Sequence, residues 1–337
     1  MSKSDDRRST FPDAKHDLDR GTMSGKLEPT TPAEAVEWYL DNRKSELSEK
    51  SLQNHEYRLG QFLDFCEEQE IENINTITGR KIHRFRSWRS KDVKPVTLRG
   101  ELQTLRVFLE FCAAIEAVEP GMRERVELPT IESAEEAREE HLDAGRAEAV
   151  LDHLDRFAYA SREHIVVGIL WHTGIRLGSL RSLDVEDFDP DERCLDLRHQ
   201  PDTGTPLKNK SVAERSIAVG TYYCDVIQDY IKYNRDDVTD DHGRSPLITS
   251  AHGRLSDGSI RETIYRLTQP CEMGECPHDQ NPDTCEYRQH SQRAGCPSSR
   301  SPHGIRRGSI TRHLRDGTPQ KVVSERANVS DEVLDQH

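Results

Sequence analysis

What this chain lacks sets the first limits. It has no run of about eighteen apolar residues, so the sequence offers no membrane-spanning helix. Met1 to about Pro29 is polar and charged, without the apolar core of a secretory signal, and reads as a disordered arm. Both absences point to a cytoplasmic protein whose cysteines stay reduced. Paired Cys-x-x-Cys motifs are missing, which removes the strongest form of a zinc signal. Hydrophobic residues make up only 33%, and acids outnumber bases to give a net charge of −14. Such a total argues against a nucleic-acid partner unless positive charge is gathered locally.

It is gathered locally. Arg80 to Arg106 holds nine Lys/Arg against Asp92 and Glu101, and Arg288 to Arg326 holds nine against Asp316 and Glu325. The 337 residues suffice for two domains with their own cores. Thr31-Pro32-Ala33-Glu34 has the pattern of a capping box with Pro in the first turn. Ser48 caps a second helix with Leu52, Leu59, Phe62, Leu63 and Cys66 at helical spacing. Thr76 to Arg89 and Val96 to Cys112 read as a third and a fourth helix, which together make a small bundle over residues 30–120. Residues 121–140 carry Pro129, Gly121 and the acidic run Glu132 to Glu140, and read as an interdomain linker.

The second domain, 141–337, mixes helices with short strands at Cys194 to His199, Arg215 to Val219 and Pro246 to Ile248. Two stretches in it carry chemistry. In Thr173-Gly174-Ile175-Arg176, Gly174 permits a close turn and Arg176 projects from the helix after it. In Ser301-Pro302-His303-Gly304-Ile305-Arg306-Arg307, His303 and Arg306 stand three apart at a helix start. That spacing puts both on one face, where free backbone N–H groups also favour an anion.

Together the two stretches resemble the tyrosine recombinases, the phage-type integrases. The resemblance runs from about Thr31 to the C-terminus. It implies a mainly α fold with a small β-sheet: a helical, SAM-like core-binding domain followed by an α+β catalytic domain. It implies site-specific DNA recombination or integration, with strand cleavage and rejoining through a 3′-phosphotyrosine. The expected partners are double-stranded DNA and a homo-tetramer on two duplexes, with no cofactor for catalysis. The Arg-rich, acid-rich composition is similar to that of proteins from salt-accumulating halophiles, and fits an archaeal member.

The resemblance also implies site residues. Arg176 and Arg306 would clamp the phosphate, since planar guanidiniums match its oxygens bidentately. His303 would bond it or take a proton. A lysine at a hairpin tip would protonate the leaving oxygen, and both Lys208 and Lys210 fit that place. Ser179 stands where the family usually has an acid. Asn328 occupies or neighbours the place of a late His or Trp. Phosphate contacts from the first domain would come from Arg84, Arg86, Arg89, Lys91, Lys94 and Arg99.

Two features depart from the pattern. Cys271, Cys276, His278, Cys285, His290 and Cys296 fall in one insertion, 271–296, where the family usually has a short link. In a reducing compartment this favours a structural zinc held by the four cysteines, with His278 or His290 replacing one; free thiols and a regulatory disulfide are the alternatives. No tyrosine follows Tyr287. Counting from Asn328 puts the nucleophile at His337 or one residue beyond. The chain as given is therefore expected not to cleave DNA, being truncated, naturally inactive or served by a partner subunit. A non-catalytic DNA-binding relative on the same fold is the alternative function.

Overall fold

The computed structural model describes residues 27–130 and 141–335. The expected arm, apart from 27–29, lies outside the described residues, as do residues 131–140 with the whole acidic run, and the expected nucleophile position at His337. Two compact units divide at Glu136/Ala137. Among the described residues no helix is long and apolar enough to cross a membrane.

The first unit is all helical: α1 (Pro32–Arg43), α2 (Glu49–Glu68), α3 (Gly79–Arg89) and α4 (Pro95–Ala114). Thr31 and Glu34 form the capping box in both directions, and the Ser48 hydroxyl accepts from the Ser51 N–H. The third helix starts later than the sequence suggests. Asn73 caps a single 3-10 turn at Ile74–Thr76, and Thr78 then caps α3. The core is aromatic, with Phe62 edge-on to Phe85 at 5.4 Å and Tyr39 edge-on to Phe108 at 5.6 Å. This unit extends past its expected end. Met122 and Val126, assigned to the linker, are buried in the same core at 0% and 1% exposure.

One expected DNA contact is corrected here. Arg89 does not face solvent: its Nε and Nη2 donate to the two Glu101 carboxylate oxygens at 2.8 and 3.0 Å, and both residues are buried. One helical turn beyond Phe85 and two beyond Ile82, it sits on the inward side of α3, where only a paired charge is tolerated. Replacing Arg89 alone strands Glu101. Arg89→Met should therefore cost ~3–5 kcal/mol in urea unfolding, and Arg89→Met/Glu101→Leu should recover most of it. An undiminished stability of the single variant would remove the pair from this structural role.

The second unit begins with α5 (Ala144–Phe157), capped by Asp143, and α6 (Arg162–Thr173), whose apolar run Ile165 to Trp171 is almost wholly buried. Gly174 ends α6 with φ +66, the left-handed turn the motif anticipates. Short α7 (Leu177–Ser182) comes next. Strands β1 (Phe188–Asp189), β2 (Cys194–Leu197) and β3 (Arg215–Ala218) form an antiparallel meander. Helix α8 (Gly220–Asp229) runs on into a π-helical turn at Tyr230–Asn234. The expected strand at Pro246 to Ile248 lies one step later. Pro246 makes only an isolated bridge to Asp184, and the hairpin is β4 (Thr249–Ser250) with β5 (Gly253–Arg254). Buried Asp184, held by Arg244 and Arg254, pins this hairpin behind α7.

Helix α9 (Asp257–Leu267) leads into the insertion, and α10 (Pro302–Arg315), α11 (Gln320–Ala327) and α12 (Asp331–Leu334) complete the unit. Helix α10 lies against α6 and against the stretch of chain that enters the unit. The Leu142 N–H donates to the Gly304 carbonyl at 3.0 Å, and a Cβ at Gly308 would come 2.0 Å from the Leu142 oxygen. The backbone therefore sets the height of α10, and with it the placement of His303 and Arg306.

Candidate active site

The two motifs meet. Arg176 is the N-cap residue of α7, half-buried, and among the described residues its guanidinium has no hydrogen-bond or ion-pair partner. Arg306 comes from the second turn of α10 and is only 5% exposed. Its Nη1 donates to the carbonyls of Gly174 at 2.6 Å and Ala327 at 2.7 Å. Burial, then Arg176 and Arg215, push its pKa down to about 9; it stays a cation at neutral pH. Burial alone lowers that of Arg176. Among the described residues no carboxylate pairs with Arg176, Arg215 or Arg306. Cations gathered without counter-charge, in partly dry surroundings, are what an anion site requires.

His303 stands at the start of α10 with its ring at the surface. Desolvation, then Arg306, Arg307, Arg176 and Lys208, hold its pKa below the usual value, so it is neutral near pH 7. Both candidate lysines are exposed: Lys208 contributes to that lowering, and Lys210 opens a 3-10 turn with φ +54. The loop carrying Lys208 is anchored by buried Leu207, whose N–H donates to His199 Nδ1 at 2.9 Å.

Asn328 adopts a left-handed conformation, φ +49, just past α11. Its Oδ1 accepts from Asn209 Nδ2 at 3.3 Å, which joins the lysine loop to the end of α11. Its own Nδ2 is buried without a partner. Thus Arg176, Arg306, His303 and Asn328 gather around one place, with the loop that carries Lys208 and Lys210 joined to it through Asn209. Ser179 is buried in α7 and puts no charge near Arg176.

Sequence reasoning missed Arg215. It heads β3 on the same side as buried Ile217, and an arginine in register with a core position was the available signal. Its Nε and Nη2 donate to the Arg326 carbonyl at 3.0 and 2.9 Å, and Nη1 to the Ala213 carbonyl at 2.7 Å. In the first unit, Arg84, Lys91 and Lys94 are exposed, Arg99 is half-buried, and Arg86 makes an ion pair with Glu127 at 3.5 Å.

The expected metal ligands lie in the insertion, residues 271–296. Among the described residues no group of three or more His, Cys, Asp or Glu side chains is placed to hold an ion, and all eight cysteines are free. Cys271 feels Cys276 and Cys296 electrostatically, but His278 bonds Ser298 at 2.9 Å and His290 is exposed. Other ties hold the loop. Arg288 donates to the Cys271 carbonyl, Gln269 to that of Tyr287, and Arg293 pairs with Glu262.

The model of the phage integrase family matches residues 140–331, and that of the phage integrase N-terminal SAM-like domain matches 37–115. The chain belongs to the phage integrase family. Tyrosine recombinase XerC of Staphylococcus aureus is 23% identical over 203 residues, covering 58% of this chain and 62% of that relative. The chain thus spans less than two thirds of the length of the curated relatives it matches. A lambda integrase dimer bound to a COC′ core site aligns with a TM-score of 0.66 at 13% identity, over 92% of this chain and 77% of the other. The Tn1549 transposon integrase in complex with a circular-intermediate DNA gives 0.67 at 14%, over 90% and 93%. These likenesses establish the fold: a SAM-like helical domain and an integrase catalytic domain.

The site sits on a pH-sensitive support. His172, one residue before the Thr-Gly turn, packs its ring on Tyr223 at 5.0 Å, and its carbonyl accepts from His313 and Arg326. Burial, then Arg326, His313 and Arg312, push its pKa down to about 4. The pKa is lower folded than unfolded, so the unfolded chain binds more protons below the usual histidine value. Stability is complete above about pH 6.5 and falls as pH drops toward 4, by up to ~3 kcal/mol from this group. Urea unfolding across pH 4–7.5 should show that loss, and His172→Gln should flatten it. An equal slope in the variant would assign the loss to other groups.

Proposed function

We propose that this chain binds duplex DNA and holds one backbone phosphate between Arg176 and Arg306 for strand cleavage and rejoining in site-specific recombination. The observation that carries the reading is the convergence of these guanidiniums with no carboxylate partner among the described residues. The first unit would grip phosphates through Arg84, Lys91, Lys94, Arg99 and Arg86, positioning the duplex without reading sequence. In the reaction a tyrosine oxygen attacks phosphorus, and the 5′-oxygen leaves. Charge gathers on the non-bridging oxygens, where Arg176 and Arg306 oppose it. Lys208 gives the leaving oxygen its proton, and neutral His303 bonds the phosphate or takes the tyrosine proton. The free Nδ2 of Asn328 donates to a phosphate oxygen. A second 5′-hydroxyl reverses the step. A homo-tetramer on two duplexes in the cytoplasm is the assembly this reading implies.

A second reading, a non-catalytic DNA-binding relative, has one observation in its favour. The described tyrosines with resolved shifts are moved away from activation. Aspartates hold the hydroxyls of Tyr159 and Tyr222, and burial pushes Tyr223 up to about 12. These three hydroxyls are therefore poorly set to attack phosphorus in the first reading. The 337-residue chain should bind inorganic phosphate, and Arg176→Gln should weaken that by about tenfold or more. On a nicked cognate duplex, with a tyrosine supplied by a longer chain or a partner, a denaturation-resistant adduct should form. Arg306→Ala should abolish it while duplex binding stays within about tenfold. A normal adduct from Arg306→Ala would sink the clamp; no adduct from the parent under any supply of tyrosine would favour the second reading.

We also propose a structural zinc in the insertion, on its chemistry alone: four thiols and two imidazoles within 26 residues. Cys271, Cys276, Cys285 and Cys296 would hold it, with the His278 ring leaving Ser298 or His290 swinging in to replace one. Adding zinc to reduced chain should mask four thiols from a thiol reagent and bind near one ion per chain. Four freely titrating thiols in excess zinc would refute it.

A further inference from the structure

Arg215 lies in the same electrostatic neighbourhood as Arg176 and Arg306. Its hydrogen bonds, however, run to backbone and not toward an open space. Nε and Nη2 fork onto one carbonyl, Arg326 O, in the last turn of α11. One residue further on, the Ala327 carbonyl is taken by Arg306. The next residue is Asn328, whose left-handed backbone ends the helix and whose Nδ2 is buried without a partner. Successive orphan carbonyls of one helix end are thus occupied by two guanidiniums from β3 and α10.

We propose that Arg215 is a positioning residue: its fork onto the Arg326 carbonyl seats the end of α11, so that Asn328 and the backbone after it face the Arg176–Arg306 pair. A lysine could make one of these bonds but not both, and an uncharged side chain would leave the carbonyl open. Freed from the fork, the α11 end keeps the Arg306 bond, the long Asn209 contact and the bonds of the Arg326 side chain to the His172 and Ala218 carbonyls. The inference rests on the phosphate-binding reading, with Asn328 as one of its donors.

The test measures the dissociation constant for inorganic phosphate together with the melting temperature of the full 337-residue chain. Arg215→Gln should weaken phosphate about two- to tenfold, and Arg215→Lys by less. On an Asn328→Ala background Arg215→Gln should add nothing, because both act through one donor. A lowered melting temperature with an unchanged constant would reduce Arg215 to a structural role and overturn the proposal. Losses that add fully to those of Asn328→Ala would overturn it too, by making Arg215 a direct ligand. Should Arg215→Gln not fold, Arg215→Lys is read by the same criteria. If the parent itself fails to bind phosphate, the phosphate reading falls separately, and amide exchange over residues 322–334 decides Arg215. Faster exchange there in Arg215→Gln, with β2–β3 protection kept, supports the seat, and unchanged exchange overturns it.

Discussion

The site depends on where two helices end. Helix α6 stops at the Thr173–Gly174 turn and α11 stops at Ala327, and their C-terminal carbonyls point into the same region. A helix end leaves its last carbonyls without intrahelical donors and carries partial negative charge. Here arginines fill the places. Arg306 reaches both ends at once through a single nitrogen, Arg326 takes the His172 and Ala218 carbonyls, and Arg215 takes that of Arg326. Neutral carbonyls solvate these cations without cancelling them. A carboxylate in their place would have held Arg306 as firmly and left little field for a phosphate. The choice of acceptor thus lets one set of contacts both build the fold and keep the site positive.

The first unit uses the opposite device, and the contrast explains how an acidic chain can present a basic face. Arg89 and Glu101 cancel inside the bundle, where an unpaired charge would be costly. Arg84, Lys91 and Lys94 lie in the same stretch of sequence but at the surface, so their charge is available to a partner. Counting Lys and Arg along the chain cannot separate the two kinds. Helical phase can: residue 89 shares an inward face with Ile82 and Phe85, and residue 84 does not.

Much of the plan was legible for the same kind of reason. Thr31, Ser48 and Ser301 are caps whose side chains satisfy local N–H groups, so neighbouring letters suffice to place α1, α2 and α10. Gly174 was legible because a left-handed turn is costly for other residues. Arg176 and His303/Arg306 were legible as motifs. What was not legible depends on contacts distant in sequence. The lysine loop hangs on the bond from the Leu207 N–H to His199, which neighbouring letters do not show. Met122 and Val126 looked like linker because only the folded bundle supplies the surface they bury. Arg215 looked like an ordinary strand residue because its partner carbonyl lies more than a hundred positions away.

The insertion obeys the same logic and links these observations. It enters α10 through Arg300, whose N–H donates to Thr268 Oγ1 at 2.8 Å, and Arg146 bridges the Thr268 and Ser298 carbonyls from α5. Thr268 is the C-terminal cap of α9, so a third helix end is closed by an arginine from elsewhere in the chain. In a protein with so little apolar residue to bury, such ties do part of the work of a core. A hydrogen bond to a charged donor contributes about 1.5–3 kcal/mol, and the arginine stem covers apolar surface on the way. They also transmit position. Arg146 fixes the carbonyl at Ser298, Ser301 caps α10 three residues later, and the next two turns carry His303 and Arg306. The loop that looks from the sequence like an interruption of the family pattern is therefore part of the frame that sets the first turn of the helix on which the site is built.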